Sequence, residues 1–271
     1  GKTTVLEAIN LLISRKSIRT RNLKECIKED SVGFSLGLEI KCKNEVFTIK
    51  AAKQADKRIS IKTSTGNTST TKERLPVVQF IQAKDLRMIE GEAELRRGFF
   101  NKAMFHVEHS SEIDYKNYKK ALNQRNISLK RKSSERELKV WSEALIETGS
   151  ILAEKQKSFF KTTFKKSLEE KIEKGEAQHT FLDKVKVEFM KGWPGEVSFS
   201  KALLESEEKD RALGYSSIGP HRLDFKYYIN NKLAKTLLSR GQQKLLIILS
   251  YFKFNDTLDA NNESGVIYLI D

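Results

Sequence analysis

A chain of 271 residues can bury a substantial core and organise one or two domains. Its 50 lysines and arginines against 36 acidic residues leave a net charge of +14, which favours an anionic partner, nucleic acid or an anionic membrane surface. No stretch of about 18 apolar residues is present to span a membrane. Cys26 and Cys42 offer neither a disulfide framework nor metal-ligand spacing, as expected of reduced cysteines in the cytoplasm.

Gly1-Lys2-Thr3-Thr4 runs directly into Val5-Leu6-Glu7-Ala8-Ile9-Asn10-Leu11-Leu12-Ile13, the end of a G-x-x-x-x-G-K-[ST] loop and the helix that follows it. Gly1 lets backbone approach phosphates, Lys2 neutralises them, the Thr3 hydroxyl stands where Mg²⁺ is held, and Thr4 adds to the phosphate-binding turn. So short a match also suits the solvated start of an ordinary helix. Val5, Ile9, Leu12 and Ile13 share a helical face that is expected to pack on a sheet.

Three short runs, 33–40, 45–50 and 58–62, predict an antiparallel meander, followed by a loop over 63–71. Leu75–Ile81 reads as a buried strand ending at Gln82, a glutamine placed either to reach a metal or attacking water or to bond loop backbone. His106, Glu108 and His109 lie close together, but no third and fourth ligand at plausible spacing supports a metal site.

From Lys116 to Lys174 the chain is helical and basic, sixteen Lys and Arg against eight Glu, 16 − 8 = +8. Tyr118, Leu122, Arg125 and Leu129, then Leu138, Trp141, Leu145, Ile151, Leu152, Phe159, Phe160 and Phe164, keep helical spacing and predict two or three antiparallel helices. So many charges together suit release of counterions from a phosphate backbone, although any single lysine reads equally as a solvated surface residue. Gly192–Gly195 predicts a turn, Ser198–Asp210 a helix, and 225–237 a hairpin about Asn230-Asn231. His221 in Gly219-Pro220-His221-Arg222-Leu223-Asp224 reads as part of a structural His-Arg-Asp cluster rather than a general base, since no nucleophile adjoins it.

Leu238-Ser239-Arg240-Gly241-Gln242-Gln243-Lys244 is a polar, glycine-containing turn that enters an apolar helix. Ser239, Arg240, Gly241 and Gln242 thus stand at a helix N-terminus, whose first N–H groups have no internal partner and suit an anion. Val266–Ile270 predicts a buried strand that delivers the Asp271 carboxylate at its end. Glycine, lysine and hydroxyl at one end and this strand at the other predict an ATPase divided between the ends of the chain.

These blocks, with Ile89-Glu90-Gly91, Arg96-Arg97, Phe105-His106-Val107-Glu108, Leu122-Asn123-Gln124-Arg125-Asn126 and Gly214-Tyr215, resemble the RecF family of bacterial recombination proteins, ABC-type ATPases related to SMC proteins. The resemblance covers essentially the whole chain. It implies an α/β P-loop ATPase head with an inserted helical arm: head residues 1–100, basic arm 101–205 and head residues 206–271. It further implies ATP and Mg²⁺ as cofactors, with Lys2 and Thr3 on phosphate and metal, Asp271 as the Walker B aspartate, and Gln82 in the Q-loop position. Ser239 and Gly241 would meet the γ-phosphate held by a second copy, so that an ATP-dependent homodimer clamps DNA. RecO and RecR as partners, promotion of RecA filaments at gapped DNA, no membrane, and a cytoplasmic, nucleoid-associated setting follow from the same resemblance.

Two departures stand out. The chain opens inside the phosphate-binding loop and ends on Asp271, so this segment alone is expected not to hydrolyse ATP, while weak activity is expected of the full-length protein. Ala93 and Glu94 stand where the family often has proline, a change expected to alter only the turn. A DNA-binding scaffold with a vestigial ATPase, a transporter's ATPase subunit and a longer SMC-type protein are the competing readings. The arm is short for the last, and the transporter's signature and helical lobe differ.

Overall fold

A computed structural model describes residues 1–42, 45–65, 68–69, 75–108, 110–165, 181–259 and 265–271. It divides into two compact units, Gly1–Lys84 with Asn255–Asp271, and Asp85–Phe254. The boundaries expected after residues 100 and 205 both fall inside the second unit.

In the first unit, helix α1 (Lys2–Ser14) ends where Arg15 turns left-handed at φ 60° and its N–H closes on the Leu11 carbonyl at 3.0 Å. Leu12 and Ile13 pack on Phe47, Ile49, Ala51 and Leu75. Val5, expected on that face, is instead 61% exposed, because only the C-terminal half of the helix reaches the core.

The antiparallel sheet runs in the order β1 (Gly33–Cys42), β2 (Glu45–Gln54), β3 (Ser60–Thr65) and β4 (Thr68–Ser69). The meander is thus present and longer than its apolar runs. The loop expected over 63–71 gives way to a hairpin, with Ser64 opposite Ser69 and Thr65 opposite Thr68. Ser and Thr can occupy edge strands as well as turns, so composition was a poor guide here.

Strand β5 (Val77–Ile81) lies parallel to β9 (Val266–Ile270), from Val77 opposite Val266 to Ile81 opposite Ile270. Near-continuous apolar runs are what parallel strands covered on both faces require.

The second unit opens with the short α2 (Arg87–Glu90) and α3 (Ala93–Val107). Then α4 (Ser110–Arg131) and α5 (Glu135–Phe159) pack together, turning at Lys132 with φ 51° and at Ser134, whose hydroxyl caps α5 by accepting from the Glu137 N–H. Leu138, Ser142, Leu145, Gly149, Leu152, Gln156 and Phe159 form the buried stripe of α5. Ile151, expected on that stripe, is 48% exposed.

A π-helical turn over Phe160–Lys165 follows, widening the helix and bringing Phe160 and Phe164 inward. Phe164 meets Phe225 at 5.0 Å, Phe100 meets Phe159 at 5.2 Å, and Phe99 meets Tyr251 edge-on at 4.8 Å. Rings in such offset and edge-on pairs contribute beyond the area they bury.

Strand β6 (Val185–Met190), for which no strand was expected, heads the sheet β6-β7-β8. The expected helix at Ser198 is two helices, α6 (Phe199–Glu205) and α7 (Glu207–Leu213), broken where the Ser206 hydroxyl donates to the Leu203 carbonyl at 2.9 Å. β7 (Asp224–Ile229) and β8 (Lys232–Leu233) form the expected hairpin, turning at Asn230 and Asn231 with φ 49° and 62°. Its second strand stops earlier than expected, and Ala234–Thr236 is a 3-10 turn. Helix α8 (Arg240–Asp259) completes the list.

Two buried ion pairs tie the second unit together. Arg96 grips the Asp224 carboxylate with Nε at 2.7 Å and Nη2 at 2.9 Å, while its Nη1 donates to the carbonyls of Met88 and Gly91. Arg125 donates from Nη1 to Asp210 Oδ2 and to Ser216 Oγ, each at 2.7 Å, and from Nε to Ser142 Oγ at 3.0 Å.

Candidate functional site

The ladder between β5 and β9 extends one step past its last paired residues, since the Asp271 N–H donates to the Ile81 carbonyl at 3.0 Å. Asp271 is thereby held at the end of β9, and Gln82 leaves the sheet directly after the partner of Ile270. Helix α1 brings Thr3 to the same point. Its hydroxyl lies 3.0 Å from Asp271 Oδ1 and 3.2 Å from Oδ2, a contact between residues 268 positions apart.

Around that contact the helix N-terminus is open to an anion. The Thr4 N–H turns back to the Gly1 carbonyl at 3.1 Å, and no acidic residue occupies the first turn to compete for the remaining N–H groups. Lys2 is exposed at the first helical position. A hydroxyl and a carboxylate held against each other are hard oxygen donors of the kind Mg²⁺ takes with phosphate, so the residues fit such a group.

The second motif is built in the other unit. Ser239 and Gln242 form a reciprocal capping box on α8: the Gln242 N–H donates to Ser239 Oγ at 3.3 Å, and the Ser239 N–H to Gln242 Oε1 at 2.9 Å. Gln243 adds an anchor from Nε2 to the Leu238 carbonyl at 3.2 Å. Arg240 reaches Glu90 at 3.7 Å. A Cβ placed on Gly241 would meet nothing within 4 Å, so no packing among the described residues fixes glycine there. Open space over a glycine at a capped helix start suits the approach of an outside group.

On the arm, Lys116 pairs with Glu112 at 2.7 Å, and Lys155 with Glu108 at 3.0 Å and Asp114 at 2.6 Å. Glu108 thus serves the base of the arm, and its partners draw its carboxyl below the usual range although burial opposes them. His109 of the rejected metal cluster lies outside the described residues.

The His-Arg-Asp cluster takes a different form from the one expected. Asp224 is occupied by Arg96, and Arg222 lies 5.7 Å over the Tyr215 ring. His221 Nδ1 meets the Tyr118 hydroxyl at 2.5 Å and Nε2 meets the Ser216 carbonyl at 3.2 Å. The carbonyl can only accept, which assigns the proton to Nε2 and makes Tyr118 the donor to Nδ1. Burial then pushes the His221 pKa down to about 4, neighbouring Arg222, Lys119 and Arg97 adding to the effect against the Ser216 bond.

His221 is therefore a structural histidine kept neutral. Its folded pKa lies below its usual 6.5, so the unfolded chain binds the extra proton between those values. Its contribution is full above pH 6.5 and lost as pH falls towards 4, up to about 3 kcal/mol. Urea melts of wild type and His221→Gln across that range will read it as a slope that the variant lacks.

Sequence reasoning placed Thr3 and Asp271 in one site, and the structure joins them. It missed the partners of Arg96 and Arg125. The signal for Arg125 was present: an arginine occupied a position on the apolar stripe of its helix.

No protein-family model matches the chain. It is 28% identical over 278 residues to the DNA replication and repair protein RecF of Proteus mirabilis, covering 100% of this chain and 75% of that protein. It is 30% identical over 252 residues to the protein of the same name from Saccharophagus degradans, covering 91% of this chain and 67% of that one. Among solved structures, the recombination mediator protein RecF-ATP of the RecFOR pathway superposes with a TM-score of 0.75 at 20% identity, over 100% of this chain and 75% of that chain. This likeness gives the fold, an α/β P-loop ATPase head of the ABC type.

Proposed function

The chain belongs to the RecF family of DNA replication and repair proteins, and from that premise we propose that it is the ATP-dependent DNA-binding part of a recombination mediator. The observation that carries the reading is the Thr3 hydroxyl on the Asp271 carboxylate at the open N-terminus of α1. Gly1, Lys2, Thr3 and Thr4 would bind the phosphates, and Thr3, Asp271 and Gln82 would hold Mg²⁺, which when bound neutralises phosphate charge.

Ser239, Arg240, Gly241 and Gln242 would complete the site of a second copy. The open space over Gly241 supports that role. In this reading ATP favours the dimer only through contacts that the γ-phosphate makes with both copies, and its loss shifts the population back. Residues 101–205 would act as the DNA-binding arm of the clamp, with RecO, RecR and RecA loading carried over from the family.

Anisotropy of labelled gapped duplex with the full-length protein tests this. Binding is expected to be at least about tenfold tighter with ATP than with ADP or no nucleotide, and to weaken steeply with salt. Binding that ignores nucleotide would favour a scaffold with a vestigial ATPase.

A further inference from the structure

We propose that the antiparallel sheet β1–β4 carries a second phosphate-backbone contact, at the open edge of β3 and on the adjoining outer face, separate from the arm. The inference rests on the reading that this protein binds DNA. A cavity of about 550 Å³ is lined there by Arg15, Lys50 and Lys62 and by the hydroxyl residues Thr48, Thr63 and Ser64, with no carboxylate among its walls.

Register shows what this arrangement costs. Lys50 stands directly opposite Lys62, and Gly37 completes the same rung on β1. Like charges directly opposite across a ladder destabilise it. Among the described residues no ion pair relieves Lys50, Lys62 or Arg15. The nearest acid by register on this face is Glu39, one rung away opposite Thr48. A bridging anion would remove the repulsion.

The edge supplies donors as well as charge. The cavity touches four consecutive residues, Ile61–Ser64, so it follows the rim of β3 rather than one face. β4 pairs only with Ser64 and Thr65, leaving the earlier rim without a strand partner among the described residues. Thr63 is only 8% exposed, and its buried hydroxyl has no hydrogen-bond partner among the described residues. A phosphate oxygen at the rim would supply one.

Position separates this surface from the ATP site. Arg15 follows the last residue of α1, and a helix of 13 residues is about 20 Å long. Short side chains at Ser35, Gly37, Thr48, Ala52, Ser60 and Ser64 leave the outer face low between the lysines, which suits a backbone laid across it. A phosphodiester strand is favoured over a single small anion because the cations lie on both sides of an open rim rather than around a closed pocket.

The test is the double variant Lys50→Gln/Lys62→Gln in the full-length protein, with labelled duplex DNA at saturating ATP over a range of salt. Affinity is expected to fall about tenfold, and the slope of log affinity against log salt to shrink by about 2. The melting temperature should hold or rise, because a like-charge pair has been removed from exposed positions.

Unchanged affinity and slope, with wild type still binding, would overturn this contact and leave the family reading intact. Absence of DNA binding by wild type would sink both. A loss of affinity together with a lower melting temperature would assign the lysines to the fold instead. Weakened binding of inorganic triphosphate without weakened DNA binding would make the surface a small-anion site and equally overturn the proposal.

Discussion

Asp271→Asn in the full-length protein is expected to lower Mg²⁺-dependent ATP turnover by about 10²- to 10³-fold and to abolish the ATP-dependent gain in DNA affinity. The amide keeps the size of the carboxylate, and its Oδ1 can still accept from Thr3, so the contact at 3.0 Å that closes α1 on β9 survives. What it loses is the negative charge, the one property of the side chain that a metal and its phosphates need. Charge lost at a site preorganised for it costs several kcal/mol of transition-state stabilisation, which sets the expected factor. Thr3→Val is the complementary change, removing the hydroxyl and keeping the charge. Steady-state turnover and nucleotide-dependent anisotropy on the same preparations check both, and wild-type turnover from Asp271→Asn would remove Asp271 from the site.

The motifs of the candidate site were legible because each is local. Gly1-Lys2-Thr3-Thr4 and Ser239-Arg240-Gly241-Gln242 are each read within one turn, and a hydrophobic strand ending in Asp271 announces where its carboxylate goes. Leu75–Ile81 and Val266–Ile270 were each legible as buried strands from their apolar runs, whereas their parallel pairing is a finding of the structure. What escaped reading depends on partners distant in sequence. Arg96 and Asp224 lie 128 residues apart, and Tyr118 and His221 lie 103 apart, and no spacing rule links them. Asp224 was accordingly grouped with its sequence neighbours Arg222 and His221, whereas the fold gives it to Arg96. β6 failed for a different reason. Val185 and Val187 are buried and Lys186 and Glu188 exposed, but so short an alternation gives little signal beyond a helical segment expected up to Lys174.

Arg125→Leu is the substitution expected to cost most in stability, about 3–5 kcal/mol in urea unfolding. Arg125 and Asp210 are both fully buried, and the pair joins α4 to α7, while Ser216 adds the loop before His221. Removing the guanidinium leaves a carboxylate out of water with its charge uncompensated, and that penalty, more than the lost bond, sets the magnitude. Asp210 retains the Ser217 N–H at 2.8 Å, with the Ser206 hydroxyl, whose proton the Leu203 carbonyl shares, at 3.3 Å, which is too little to balance a full charge. Arg125 itself is incompletely satisfied, since its Nη2 has no partner among the described residues. The ion pair therefore does not stabilise as much as its 2.7 Å distance suggests, and an apolar replacement of both partners should recover much of the loss. In a cycle of Arg125→Leu, Asp210→Leu and the double variant, the double is expected to be more stable than Arg125→Leu alone. If instead the two single costs simply add, the penalty comes from packing at each position and the buried-charge account is wrong.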